Sequence, residues 1–170
     1  MLFRSDLQGV RSYKIRGAYH KISSLTGEEL EQGVVCASAG NHAQGVAFSC
    51  KAKKIKGVIF MPTITPNQKI EQVKMFGGDY VEVVLNGDTY DDASYAATDY
   101  CKEKKMSFVH PFHDIKVIEG QATIALEILA QSKTPVDYLF LPVGGGGLAA
   151  GVSSIFKELS PNTKIIGVEP

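Results

Sequence analysis

The chain has no excess of charge of either sign, no long apolar run and no paired cysteines, and each absence removes a class of protein. Its 18 basic and 18 acidic residues balance, so there is no phosphate-tracking basic surface and nucleic acid is not an expected partner. Its longest apolar runs, such as YLFLPV at 138–143, are far too short to cross a bilayer. The N-terminus lacks the basic, apolar, small-residue order of a secretion signal. The three cysteines, Cys36, Cys50 and Cys101, are odd in number and show no CxxC spacing. They suit a reduced, cytoplasmic chain with small buried thiols, without a disulfide framework or a zinc site. Repeats, low-complexity tracts and obvious linkers are also missing.

What is present is an alternation within 170 residues, enough for one large domain or two small ones. Strand-like runs at 33–39, 57–62, 80–85, 107–111, 137–143 and 164–170 are separated by helix-like stretches. Pro66 starts one helix, with Gly77 past its end. The strand runs are continuously apolar, which predicts burial on both faces and mainly parallel sheets joined by βαβ crossovers. The fold class is therefore α/β. Apolar residues at 15, 18, 19, 22 and 25 add a helical stripe near the N-terminus, and Thr26 with Glu29 predicts a capping box opening a second helix.

Three strand-to-helix or helix-start motifs carry chemistry. PVGGGGLAAG at 142–151 places Gly144, Gly145, Gly146 and Gly147 ahead of a helix. Helix N-termini present unpaired N–H groups and favour anions, and glycines let an anion approach the backbone. The run is not GxxxxGK[ST] and offers no GxGxxG with a following acid, so a phosphate smaller than a nucleotide is expected; a flexible turn is the alternative. SAGNHAQG at 38–45 is a second anion-loop candidate, suited to a carboxylate, although Ser38 and Asn41 can equally cap a helix. SYKIRGAY at 12–19 puts Lys14 in the first turn of a helix, where the dipole opposes its charge. A buried lysine there tends toward the neutral amine that covalent catalysis on carbonyl compounds needs; a solvated lysine is the ordinary alternative. Reactive amine, phosphate cradle and carboxylate loop together suit pyridoxal 5'-phosphate acting on an amino acid. His110 and His113 lack a third ligand at suitable spacing, so HPFHD is expected to be local structure, and Lys51, Lys53, Lys54 and Lys56 a solvated helix end.

In this order and spacing the three motifs resemble the fold-type II pyridoxal-phosphate enzymes, within them the serine/threonine dehydratases, and most closely the biosynthetic threonine dehydratases. VVLNGDTYDDA, HPFHD, EGQATIALEI and KIIGVEP fit the same group. Serine dehydratases and serine racemases share S-x-K-x-R-G-A and the glycine run and stay in competition. Cysteine synthases, with SVKDR and GTGGT, do not fit. The resemblance implies a tryptophan synthase β-like arrangement of two three-layer α/β/α domains. Residues 36–113 would form the small domain, and 1–35 with 114–170 part of a large, incomplete one. It implies that Lys14 holds the cofactor and takes the Cα proton, that Tyr13 packs against the cofactor ring, and that Asn41 bonds its phenolic oxygen. Ser38, Ala39, Gly40, Asn41 and His42 would take the substrate carboxylate, and Gly144 to Gly147 with Leu148 the phosphate. The implied reaction deaminates threonine to 2-oxobutanoate by β-elimination, in a homo-oligomeric parent and without a metal. The group facing the pyridine nitrogen would lie outside this chain, which by itself would be weakly active or an inactive binding or assembly module.

Overall fold

A computed structural model describes residues 3–169. Met1, Leu2 and Pro170, the extremes of the expected terminal segments, lie outside the described residues. Among the described residues six strands and seven α-helices follow in the order α1 (Lys14–Ser23), α2 (Gly27–Gln32), β1 (Val34–Ala37), α3 (Asn41–Lys53), β2 (Gly57–Met61), α4 (Asn67–Gly77), β3 (Val81–Leu85), α5 (Tyr90–Glu103), β4 (Ser107–Phe108), α6 (Ile115–Gln131), β5 (Tyr138–Pro142), α7 (Gly147–Leu159) and β6 (Lys164–Val168). No helix among them is long and apolar enough to cross a membrane.

Local signals set most boundaries. The Thr26–Glu29 capping box forms as expected, and a second joins Thr89 to Asp92 at the start of α5. Asp114 opens α6 by accepting from the N–H groups of Lys116 and Val117. Pro66 stands just before α4, but the residue past its end is Gly78 rather than Gly77; Gly78 takes φ +55, where a side chain would be strained. The lysine run ends α3, with Lys54 left-handed at its C-cap.

The first sheet is wholly parallel, in the order β3-β2-β1-β4. β1 and β2 are buried throughout, as continuous apolar runs require. Cys36, Ile59 and Met61 face α3 and α4, while Val35, Val58 and Phe60 face α5, which gives three layers. Because β2 and β4 flank β1, the chain leaves β1 in one direction and returns on its other side. The carboxyl ends of β1 and β4 are therefore a topological switch point, where open α/β sheets bind ligands.

The second sheet pairs β5 with β6 in parallel. Here, as at the edge strand β3 with its exposed Glu82 and Leu85, the expectation of burial on both faces does not hold. Leu139, Leu141 and Ile165 pack against α6 and α7, but the alternate residues Tyr138, Phe140, Ile166 and Val168 are exposed. The described residues thus form two layers at this sheet, not three.

Four helices are stacked through glycines. A Cβ on Gly45 of α3 would stand 3.1 Å from the backbone of Lys14 and Ile15. One on Gly120 of α6 would stand 2.6 Å from the Arg16 carbonyl oxygen and the Gly17 Cα. One on Gly151 of α7 would stand 2.5 Å from the Ile118 carbonyl oxygen. Backbone therefore meets backbone from α3 through α1 and α6 to α7. The Arg16 guanidinium fastens the middle joint, pairing both its terminal nitrogens with the Glu127 carboxylate at 2.5 and 2.9 Å.

Candidate active site

Lys14 is the first residue of α1. The Ser12 hydroxyl accepts its backbone N–H at 3.2 Å. Its half-buried amine donates to the Pro111 carbonyl at 2.7 Å, across 97 residues of sequence. Burial pushes the amine below the ordinary lysine range. Among the described residues no carboxylate pairs with it, so the charged form has only the neutral Pro111 carbonyl to offset its burial. Tyr13 is half-buried beside it, its ring centroid 5.6 Å from Nζ, and burial raises its phenol.

The 38–42 loop follows β1 at the switch point. The Ser38 hydroxyl accepts from the Gly40 N–H at 3.2 Å. Gly40 precedes α3 with no side-chain cap, so neither Ser38 nor Asn41 caps the helix. Ser38, Ala39 and Gly40 are partly exposed and Asn41 is exposed. His42 differs: its ring is 3% exposed and bonds through Nε2 to the Val109 carbonyl at 2.8 Å. A carbonyl only accepts, so Nε2 carries the proton. Burial holds the imidazole neutral, down to about 4, with Lys14 and His110 acting in the same direction.

The glycine run lies after β5. Gly146 is left-handed at φ +82 and precedes α7, again without a side-chain cap, so no side chain claims the first N–H groups of that helix. Gly144 and Gly146 face open space. Gly145 and Gly147 have a different reason to be glycine: a Cβ on either would run into Phe112. Leu148 is buried just behind the loop.

HPFHD, expected to be local structure, is local structure in a central place. The N–H groups of Phe112 and His113 donate to His110 Nδ1 at 3.3 and 2.8 Å, and the His110 and Phe112 rings meet edge to face. Yet this one turn touches all three motifs: Val109 holds His42, Pro111 holds Lys14 and Phe112 abuts the glycine loop. Sequence reasoning missed it because two of these contacts are made by backbone carbonyls, which leave no side-chain signature. Among the described residues no three His, Cys, Asp or Glu gather as a metal site.

A cleft of about 810 Å³ does not coincide with this cluster. It runs beside β5 and reaches Tyr13, Pro142 and Leu148 at one end, but includes neither Lys14 nor residues 38–42. The residues present fit pyridoxal phosphate on their own chemistry: a depressed amine that no carboxylate neutralises, and an uncapped glycine-fronted helix N-terminus for its phosphate.

Comparison with known proteins agrees. A family profile described as pyridoxal-phosphate dependent enzyme matches residues 4–170. The biosynthetic L-threonine dehydratase IlvA of Halalkalibacterium halodurans is 57% identical over 169 residues, covering 99% of this chain but 41% of that protein. The solved structure of processed threonine deaminase isoform 2 from Solanum lycopersicum superposes with a TM-score of 0.93 at 50% identity, over 98% of this chain and 45% of that one. Maize serine racemase superposes at 0.92 with 33% identity, over 98% and 49%. The chain thus spans about two fifths of the curated relative it matches.

Proposed function

The chain belongs to the family of pyridoxal-phosphate dependent enzymes, and from that premise we propose that it forms the catalytic core of a threonine dehydratase, deaminating L-threonine to 2-oxobutanoate and ammonia. The observation that carries the reading is the meeting of three motifs on residues 109–112, with the Lys14 amine at its centre. Bound there, the cofactor supplies an electron sink for the substrate Cα. Lys14 would hold it through Nζ, be released when the substrate amine takes its place, and then accept the Cα proton on the freed Nζ; the depressed amine suits both tasks. Between them the Pro111 carbonyl keeps the amine pointed into the site. Backbone N–H groups of 144–148 at the start of α7 hold the phosphate. Tyr13 would flank the ring, and Asn41, exposed at the start of α3, would bond the phenolic oxygen. N–H groups of 38–42 would take the substrate carboxylate; after Cα proton removal the β-hydroxyl would take up a proton and leave as water, and one water would return in the hydrolysis that releases 2-oxobutanoate and ammonia.

The same reading divides the chain at the sheets. Residues 36–113 carry nearly all of the four-stranded sheet, and 1–35 with 114–170 carry α1 and the two-stranded one. It also places the parent protein in the cytoplasm as a homo-oligomer; three free, buried cysteines support a reducing compartment.

The test is to mix the purified chain with pyridoxal phosphate, reduce with borohydride and map the labelled lysine. Label on Lys14, lost in Lys14→Ala, supports the site; label scattered over surface lysines overturns it. Turnover of threonine against serine, in the chain and in the complete protein, then separates the dehydratase from the serine racemase reading. No turnover by the chain beside an active longer form would show that residues 1–170 do not suffice for turnover.

A further inference from the structure

We propose that His42 is a positioning residue whose ring fastens the 38–42 loop to residues 109–111, so that this loop and Lys14 share one support. In the reading above residue 42 acts through its backbone N–H; the ring has no part in it. The residue is 3% exposed, and its ring ends on the Val109 carbonyl. Only the backbone of 109–111 separates that bond from the Pro111 carbonyl that receives Lys14. The stretch between is stiffened from both sides. The Val109 N–H donates to Val35 of β1 at 2.8 Å, and His110 Nδ1 closes the turn over Phe112 and His113.

A residue needed only to fill space at 42 would be apolar. The imidazole fills it at a disadvantage: with the proton on Nε2, Nδ1 is a buried acceptor that finds no partner among the described residues. A ring kept under that penalty is kept for the donor it presents at Nε2. The geometry of the strap stands by itself; only what the loop binds rests on the dehydratase reading.

Three variants of the chain test it. His42→Gln offers an N–H at the reach of Nε2, His42→Asn only at the reach of Nδ1, and His42→Leu none. Amide hydrogen exchange is followed at Gly40, Phe112 and His113, with Ala47 to Cys50 inside α3 as reference. Asn and Leu should speed exchange at both loops together by about tenfold, the factor one hydrogen bond carries, with the α3 interior unmoved. Gln should restore slow exchange. The rate of pyridoxal phosphate attachment to Lys14 should fall in Asn and Leu and recover in Gln. The proposal is overturned if Gln behaves like Leu, or if exchange rises evenly through α3, which would make His42 a packing residue. If even the unsubstituted chain fails to label Lys14, the site reading fails for this chain, while the exchange rates still decide the strap.

Discussion

Gly120→Ala puts the helix stack to the sharpest test, because two general rules predict opposite signs for it. In an open helix, alanine in place of glycine stabilises by about 1 kcal/mol. At Gly120 the new methyl group would lie 2.6 Å from the Arg16 carbonyl oxygen and from the Gly17 Cα. That is about 1 Å short of ordinary contact. The obstructing atoms are backbone of α1, so no side chain can swing aside. Either α1 and α6 part, or one of them shifts along the other. Overpacking of this kind costs about 1–3 kcal/mol, and unyielding backbone puts the site at the upper end. After the propensity gain, the net loss is about 2 kcal/mol. For a chain of 170 residues this lowers Tm by about 4–8 °C. Thermal unfolding of Gly120→Ala measures it, with Gly27→Ala as control, since a Cβ on Gly27 meets nothing within 4 Å. A rise in Tm for Gly120→Ala would show that the α1 and α6 backbones do not meet there. The same displacement moves Lys14 off Pro111, so labelling by pyridoxal phosphate should slow alongside the loss of stability.

Three further outcomes follow from titration and burial. His42 is held neutral with a value of about 4, whereas the unfolded chain binds its proton near 6.5; stability should therefore fall as pH drops from 6.5 toward 4, by up to about 3 kcal/mol, and urea midpoints at pH 7 and 4.5 should converge in His42→Gln. Burial pushes the Asp114 carboxyl up, but Lys21 at 3.0 Å and the N–H groups of Lys116 and Val117 outweigh it and hold the group low. Its contribution is full above the unfolded value and is lost below about pH 4, so the acid limb of the stability curve should flatten in Asp114→Asn. Cys36, Cys50 and Cys101 are buried, and burial raises all three thiols, Cys50 to about 12; a thiol reagent at neutral pH should react with them only after denaturant is added.

The elements were largely legible because their signals are local. α7 occupies the stretch expected from the glycine run onward, and the Thr26 capping box needs only its own four residues. The shortfalls arise where distant parts decide. The β5 and β6 runs are apolar on alternate residues that the described chain leaves exposed, so apolarity alone overstates their burial. The glycine run looked like one device and is two: Gly144 and Gly146 open a path to the helix N-terminus, while Gly145 and Gly147 make room for Phe112. Gly17, Gly45, Gly120 and Gly151 drew no notice in the sequence, although isolated glycines inside helical patterns are a recognisable sign of close packing. The role of Pro111 rests on a carbonyl oxygen that every residue owns.

The bond from Lys14 to Pro111 also has a consequence in time. Its closing spans 97 residues, and the glycine loop comes later still in the chain. Contacts this distant form slowly, after local helices and hairpins have settled. During synthesis the lysine leaves the ribosome ahead of its partners and must wait for roughly 130 further residues before its cradle is present. Covalent capture of pyridoxal phosphate at Lys14 would then mark the last stage of refolding, trailing the recovery of helical signal, and would serve as a clock for the assembly of the whole core.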